Sequence, residues 1–175
     1  MSAGFIFWVY NRGMNNTTLL FLVKKNGEKV SEVCLAMKKR RFGAGRYNGV
    51  GGKLLEGESI EQALVRETKE EIDVDVAIKD LEKVAILDFS FANKPEWNQS
   101  VHAFFTTTWG GVPTESEEMK PEWFTADTIP FDRMWPDDIF WLPRVLKGEF
   151  IKGKFTFGDN DVILEQHIST VANFI

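Results

Sequence analysis

Glu67, Glu70 and Glu71 fall in the stretch GKLLEGESIEQALVRETKEEIDV (52–74), with Glu58 and Arg66 beside them and a glycine-rich approach in front. On a helix turning about 100° per residue, the three glutamates share an arc of roughly 100°. Like charges so placed repel one another and destabilise a helix, so an ordinary solvated acidic face explains them poorly. A divalent cation removes the conflict. Hard Mg²⁺ prefers oxygen ligands, keeps several waters, and is commonly shared between a few carboxylates and substrate phosphates. The chemistry suggested is metal held against a diphosphate.

Local signals place these carboxylates on a helix from Ser59 to Ile72. Ser59 is a good cap, Glu58 and Glu61 suit the positive end of the dipole, and neither Gly nor Pro interrupts the run. Upstream, TTLLFLVKK and VSEVCLAMKK flank the turn-forming pair Asn26-Gly27 and predict a hairpin. FGAGRYNGVGG then leads into the acidic helix. Downstream, VAILDFSF and SVHAFFTTTW are rich in β-branched and aromatic residues and predict strands around the polar loop ANKPEWNQ. Trp123 and Phe124 belong to another short strand. A second helix is expected to begin near Pro136 and to be kinked or split by Pro143. KGKFTF and DVILEQHI, joined by GDN, predict a closing hairpin. Strands mixed with two helices indicate an α+β sandwich with a mixed sheet.

The 175 residues carry a net charge of −5, against the basic face usual in proteins that bind nucleic-acid polymers. No apolar run is long enough to cross a bilayer. FIFWVY (5–10) is too short for a span and lacks a basic leader, so an extra strand or surface packing is expected there. Cys34 is the single cysteine, so an intrachain disulfide is impossible and a reducing cytoplasm is the expected compartment. In the run VCLAM it reads as a buried small hydrophobe. No repeat, linker or composition break divides the chain. A single domain over 1–175 is expected, with 1–16 as an N-terminal extension, working as a monomer.

The stretch from Gly52 to Val74 resembles the Nudix box, the signature of hydrolases that cleave a nucleoside diphosphate linked to another moiety. Gly52, Glu58, Arg66, Glu67, Glu70, Glu71 and Val74 match the family pattern in type and spacing. Two positions depart. Thr68 replaces a hydrophobic residue, and Asp73 replaces the glycine that ends the helix in a left-handed conformation, which Asp tolerates better than most residues. The stretches MKKRRFGAGRYNGVGGK, TESEEMKPEWF and FDRMWPDDIFWLP further resemble the oxidised purine nucleoside triphosphatases, the MutT-homologue subgroup, from about Thr18 to Ile168.

That resemblance implies the Nudix-type α/β/α sandwich. It also implies a metal set of Gly51 (through its carbonyl), Glu67, Glu70, Glu71 and Glu118, with Mg²⁺ as cofactor and Mn²⁺ as a substitute. Arg66 would orient the carboxylates. Asn48, Asp137 and Asp138 would read the purine edge and Trp135 would stack on the base, with Thr18, Lys38, Phe42, Phe89 and Phe91 as further pocket residues. Adjacent carboxyls cannot easily both ionise in a poorly solvated pocket, so one can donate a hydrogen bond while the other accepts. Taken alone, Pro-Asp-Asp is as well explained by an acidic helix start. Tyr47, where the subgroup has tryptophan, a longer first hairpin, and the loop KPEWNQS also depart from the subgroup.

The reaction implied is metal-assisted hydrolysis of a purine nucleoside triphosphate, such as 8-oxo-dGTP or 2-hydroxy-dATP, to the monophosphate and pyrophosphate. Two alternatives stay open. A Nudix hydrolase of dinucleoside polyphosphates or unmodified nucleotides would share the metal site, and a nucleotide-sensing Nudix module would bind without cleaving.

Overall fold

The computed structural model describes residues 14–174. The FIFWVY segment and most of the expected N-terminal extension lie outside them. The predicted first hairpin is β1 (Asn15–Asn26) and β2 (Lys29–Lys38), antiparallel across Gly27 at φ 63°. β1 thus already includes residues 15 and 16. There follow β3 (Tyr47–Asn48), α1 (Ile60–Ile72), β4 (Glu82–Phe91), β5 (Gln99–Thr106), β6 (Met119–Thr125), α2 (Asp138–Leu146), β7 (Phe150–Phe157) and β8 (Ile163–Val171). The sheet runs β3-β2-β1-β5-β4-β7-β8, with β6 also paired to β2. It is mixed: β1/β5 and β4/β7 are parallel, the other pairs antiparallel.

Side chains on β1 show why helices cover both faces. Strand residues alternate sides, and here both sets are apolar. Leu19, Phe21 and Val23 enter one core with Trp141, Leu142 and Val145 of α2. Leu20 and Leu22 enter the other with Leu64 and Ile72 of α1. The result is an α/β/α sandwich. Cys34 lies in the α1-side core, where burial pushes its thiol up to about 12, so it packs as a hydrophobe.

Helix α1 is set by its local signals. Ser59 accepts from the Gln62 N–H at 3.1 Å while Gln62 accepts from the Ser59 N–H at 2.9 Å, forming a reciprocal capping box. Thr68, fully buried, resolves its polarity by donating to the Leu64 carbonyl at 2.8 Å, so a hydroxyl fits on an apolar helix face. Asp73 ends the helix at φ 56°, ψ 38°, with its N–H on the Lys69 carbonyl. Glycine holds this left-handed conformation without side-chain strain. The exposed Lys69–Asp73 ion pair at 2.7 Å contributes little against that. Asp73→Gly is therefore expected to raise the melting temperature by about 2 °C, the equivalent of less than about 1 kcal/mol; a fall in a thermal melt would show that the side chain matters more than the backbone.

The second helix differs from expectation. It begins at Asp138, after Pro136, and runs through Pro143 without being split. Proline at this position removes one hydrogen bond, to the carbonyl of residue 139 in the first turn. Burial of Trp141, Leu142, Val145 and Leu146 outweighs that loss.

Candidate active site

A cavity of about 490 Å³ opens between the glycine-rich loops, β1, the inner residues of β4 and the start of α2. That size suits a small organic ligand. Its phosphate-like end is built where residues 49–53 press against β1. The Thr18 N–H donates to the Gly52 carbonyl at 2.9 Å, and Leu20 and Val50 exchange backbone bonds at 2.6 and 2.9 Å. Glycine is required at Gly51, and at Gly52 a side chain would displace the Glu67 carboxylate. Gly51 stands at φ 150°, where a Cβ would lie 2.1 Å from the Thr18 oxygen, and a Cβ on Gly52 would lie 2.7 Å from the Glu67 carboxyl carbon.

Helix α1 delivers its carboxylates unequally. Glu71 is buried; its Oε2 accepts from the Gly51 N–H at 2.9 Å, and Lys38 Nζ lies 3.6 Å from Oε1. Burial pushes its carboxyl up to about 7, with the Gly51 bond and Lys38 pulling down and the charges of Glu67 and Glu118 pushing up. Glu67, Glu71 and Glu118 all line the cavity, as does Gly51. Glu70 does not; its side chain is 59% exposed and lies 3.3 Å from Arg66. Arg66 also stays off the cavity wall. Its Nε and Nη2 hold Glu58 at 2.7 and 2.9 Å and its Nη1 holds Glu67 at 2.7 Å. These bonds pull Glu58 down to about 2 and push Arg66 up.

Among the described residues, no three acidic, histidine or cysteine side chains stand close enough to form a ready metal cage. The donor set nevertheless fits a hard divalent ion that retains waters and shares phosphate oxygens. Glu71 is the clearest sign: a buried carboxyl facing two other carboxylates is stabilised as an anion by added positive charge.

The opposite end is aromatic and carries the paired acids. Asp137 and Asp138 are 3% and 2% exposed. The Trp141 indole N–H donates to Asp137 Oδ2 at 3.0 Å, and the Trp135 backbone N–H donates to Asp138 Oδ2 at 3.0 Å. Burial raises both carboxyls, and the Asp137 charge raises Asp138 further. The pair therefore favours holding a proton. Asn48 accepts from the Gly49 N–H at 2.8 Å through its carbonyl oxygen. Thr18 Oγ1 bonds the Gly52 backbone at 3.3 Å, and Lys38, Phe42, Asn48, Phe89, Phe91 and Trp135 join it on the cavity wall.

Phe42 stacks on Trp135, centroids 5.0 Å apart at 30°, and meets Trp97 edge-on at 4.9 Å. Two rings in direct contact leave no slot between them for a base, so stacking on Trp135 requires Phe42 to shift or another part of the indole to be used. The Arg46 guanidinium lies 4.1 Å from the Trp135 ring and pairs with Asp161 at 2.8 Å.

Sequence reasoning missed Trp141, Arg46 and Phe157 on the cavity wall. Trp141 was detectable, four residues beyond Asp137 on a helix and so on the same face. Tyr47 lies elsewhere. It is buried against Phe124 and donates to Glu122, off the cavity wall.

Comparison with known proteins agrees with this architecture. The family model described as the NUDIX domain matches residues 14–145. The oxidized purine nucleoside triphosphate hydrolase of Mus musculus is 47% identical over 142 residues, 81% of this chain and 89% of that protein. The protein of the same name from Danio rerio is 45% identical, covering 79% and 87% respectively. Among solved structures, the MutT protein of Bacillus halodurans superposes with a TM-score of 0.75 at 24% identity, covering 89% of this chain and 98% of that one. That last likeness concerns the fold.

Proposed function

From the premise that this chain belongs to the Nudix family, we propose that it is a hydrolase of oxidised purine nucleoside triphosphates such as 8-oxo-dGTP and 2-hydroxy-dATP. The observation that carries the substrate class is one cavity lined at one end by Glu67, Glu71 and Glu118 and at the other by the adjacent, buried Asp137 and Asp138. The similarity to the mouse and zebrafish enzymes supports it.

In this reading Glu67, Glu71 and Glu118, with the Gly51 carbonyl, hold Mg²⁺, for which Mn²⁺ can substitute; Glu70 stands at the rim beside Arg66. The bound ion supplies positive charge to the phosphoryl oxygens and eases ionisation of a water. Arg66 positions Glu67 and Glu58 without touching substrate. Lys38 offsets phosphate charge, and a cavity carboxylate takes the proton of the attacking water. At the base end, Asn48 and the aspartates bond the purine edge, one carboxyl of the pair donating while the other accepts. Trp135, Phe89 and Phe91 supply the apolar walls.

The whole chain acts as one domain, a monomer working on free nucleotides in the cytoplasm. Among the described residues no helix is long and apolar enough to cross a membrane. Chromatography of products tests the reaction type: monophosphate with pyrophosphate is expected, and diphosphate with orthophosphate would refute it. EDTA is expected to stop hydrolysis while leaving the circular dichroism spectrum and cooperative melt in place, because both cores form without metal ligands. Loss of the folded spectrum on chelation would contradict this.

A further inference from the structure

Between β2 and β3 the chain makes a tight loop, closed by the Gly45 N–H on the Lys38 carbonyl at 2.7 Å and the Lys38 N–H on the Arg46 carbonyl at 2.9 Å. Within it Arg41 sits at φ 67°, a left-handed conformation that is unfavourable for a long side chain. Such strain persists where surrounding structure or function requires it. The conformation brings Arg41 to the cavity wall, and its side chain is still 70% exposed.

Its neighbours are differently committed. Lys39 is bound to Glu115 at 2.8 Å and to the Ser116 carbonyl at 2.7 Å. Arg40 holds Glu118 Oε1 at 2.8 Å and Glu117 at 3.3 Å, and it is not on the cavity wall. Arg46 is spent on Asp161 and Trp135. Arg41, by contrast, makes its ion pair among the described residues with Glu118 alone, at 3.2 Å, on an oxygen Arg40 already occupies. Glu118 keeps its anchor if Arg41 leaves.

We infer that Arg41 binds the phosphate chain of the nucleotide, exchanging its Glu118 contact for phosphate oxygens when substrate enters. The inference rests on the nucleoside triphosphate reading above and adds a residue to it. The phosphate end of the cavity also presents Glu67, Glu71 and Glu118 to a polyanion, and the other cations on that wall are Lys38, which already faces Glu71, and Lys53. A guanidinium suits phosphate oxygens because its N–H groups form a planar fork.

The test is calorimetric binding of inorganic tripolyphosphate, in Mg²⁺ buffer, to the wild type, Arg41→Ala and Arg41→Gly. Both variants are expected to bind about tenfold more weakly, about 1.4 kcal/mol, while binding of 8-oxo-dGMP stays within twofold. Glycine is well suited to φ 67°, so misfolding would not explain a loss in that variant. A role confined to holding Glu118 gives a different pattern: in a Glu118→Gln background Arg41→Ala would have no further effect, whereas phosphate binding predicts the same tenfold loss. Unchanged tripolyphosphate affinity in both single variants overturns the inference. If the wild type binds tripolyphosphate through Arg41 but hydrolyses no nucleotide, the enzyme reading fails and the Arg41 assignment stands.

Discussion

Glu71→Gln is expected to lower kcat by about a thousandfold at saturating Mg²⁺ while the fold persists. Loss of a carboxylate that would hold the metal forfeits several kcal/mol of charge stabilisation, and about 4 kcal/mol corresponds to that factor. The amide keeps an acceptor for the Gly51 N–H, now at 2.9 Å from the carboxylate. Burial raises the Glu71 carboxyl to about 7, above its value in an unfolded chain, so metal-free protein retains the stability linked to this group at low pH and loses it as pH rises through about 7. The glutamine variant has no such titration. Metal-free wild type should therefore lose more of its melting temperature between pH 5 and pH 8 than the variant does. Turnover near that of the wild type would remove Glu71 from the metal site, and parallel melting profiles would remove the pH argument.

Asp137→Asn and Asp138→Asn are expected to cut kcat/KM for the preferred oxidised purine by about 10–100-fold, from the 1–3 kcal/mol penalty of an unpaired buried polar group. Each amide can still accept the existing bond, from the Trp141 indole in one case and the Trp135 backbone in the other. What each variant removes is the freedom to exchange a proton. Raised carboxyls in a shared pocket can present either donor–acceptor order to the base, whereas asparagine presents one. The ranking of bases should therefore change along with the rates, because each base offers a different edge. Unchanged ranking and rates across 8-oxo-dGTP, 2-hydroxy-dATP and dGTP would reject the base-reading assignment.

How much was legible follows from how local each signal is. The limits of α1 are encoded within a few residues, in the Ser59–Gln62 box and the left-handed Asp73. The difference between Glu70 and Glu71 was also within reach. Leu64, Thr68 and Glu71 share one stripe at i, i+4 and i+7, so burial of Leu64 and Thr68 carries Glu71 inward while Glu70 faces out. The continuity of α2 through Pro143 depends on how strongly its apolar face is buried, which no local pattern states. Arg46 lies beyond sequence reasoning for a similar reason: its partner Asp161 is 115 residues away. The contact between Phe42 and Trp135 likewise joins a glycine loop to a distant segment, and only the folded chain reveals that the aromatic slot is closed.

The substrate class is tested most directly by the initial rate of pyrophosphate release with Mg²⁺, at equal concentrations below KM, from 8-oxo-dGTP, 2-hydroxy-dATP, dGTP, ATP and a dinucleoside polyphosphate. At least one oxidised purine triphosphate is predicted to be hydrolysed about tenfold or more faster than dGTP and ATP, a difference of about 1.4 kcal/mol in transition-state binding. Equal rates on oxidised and unmodified purines, or cleavage of the dinucleoside polyphosphate alone, would contradict the account.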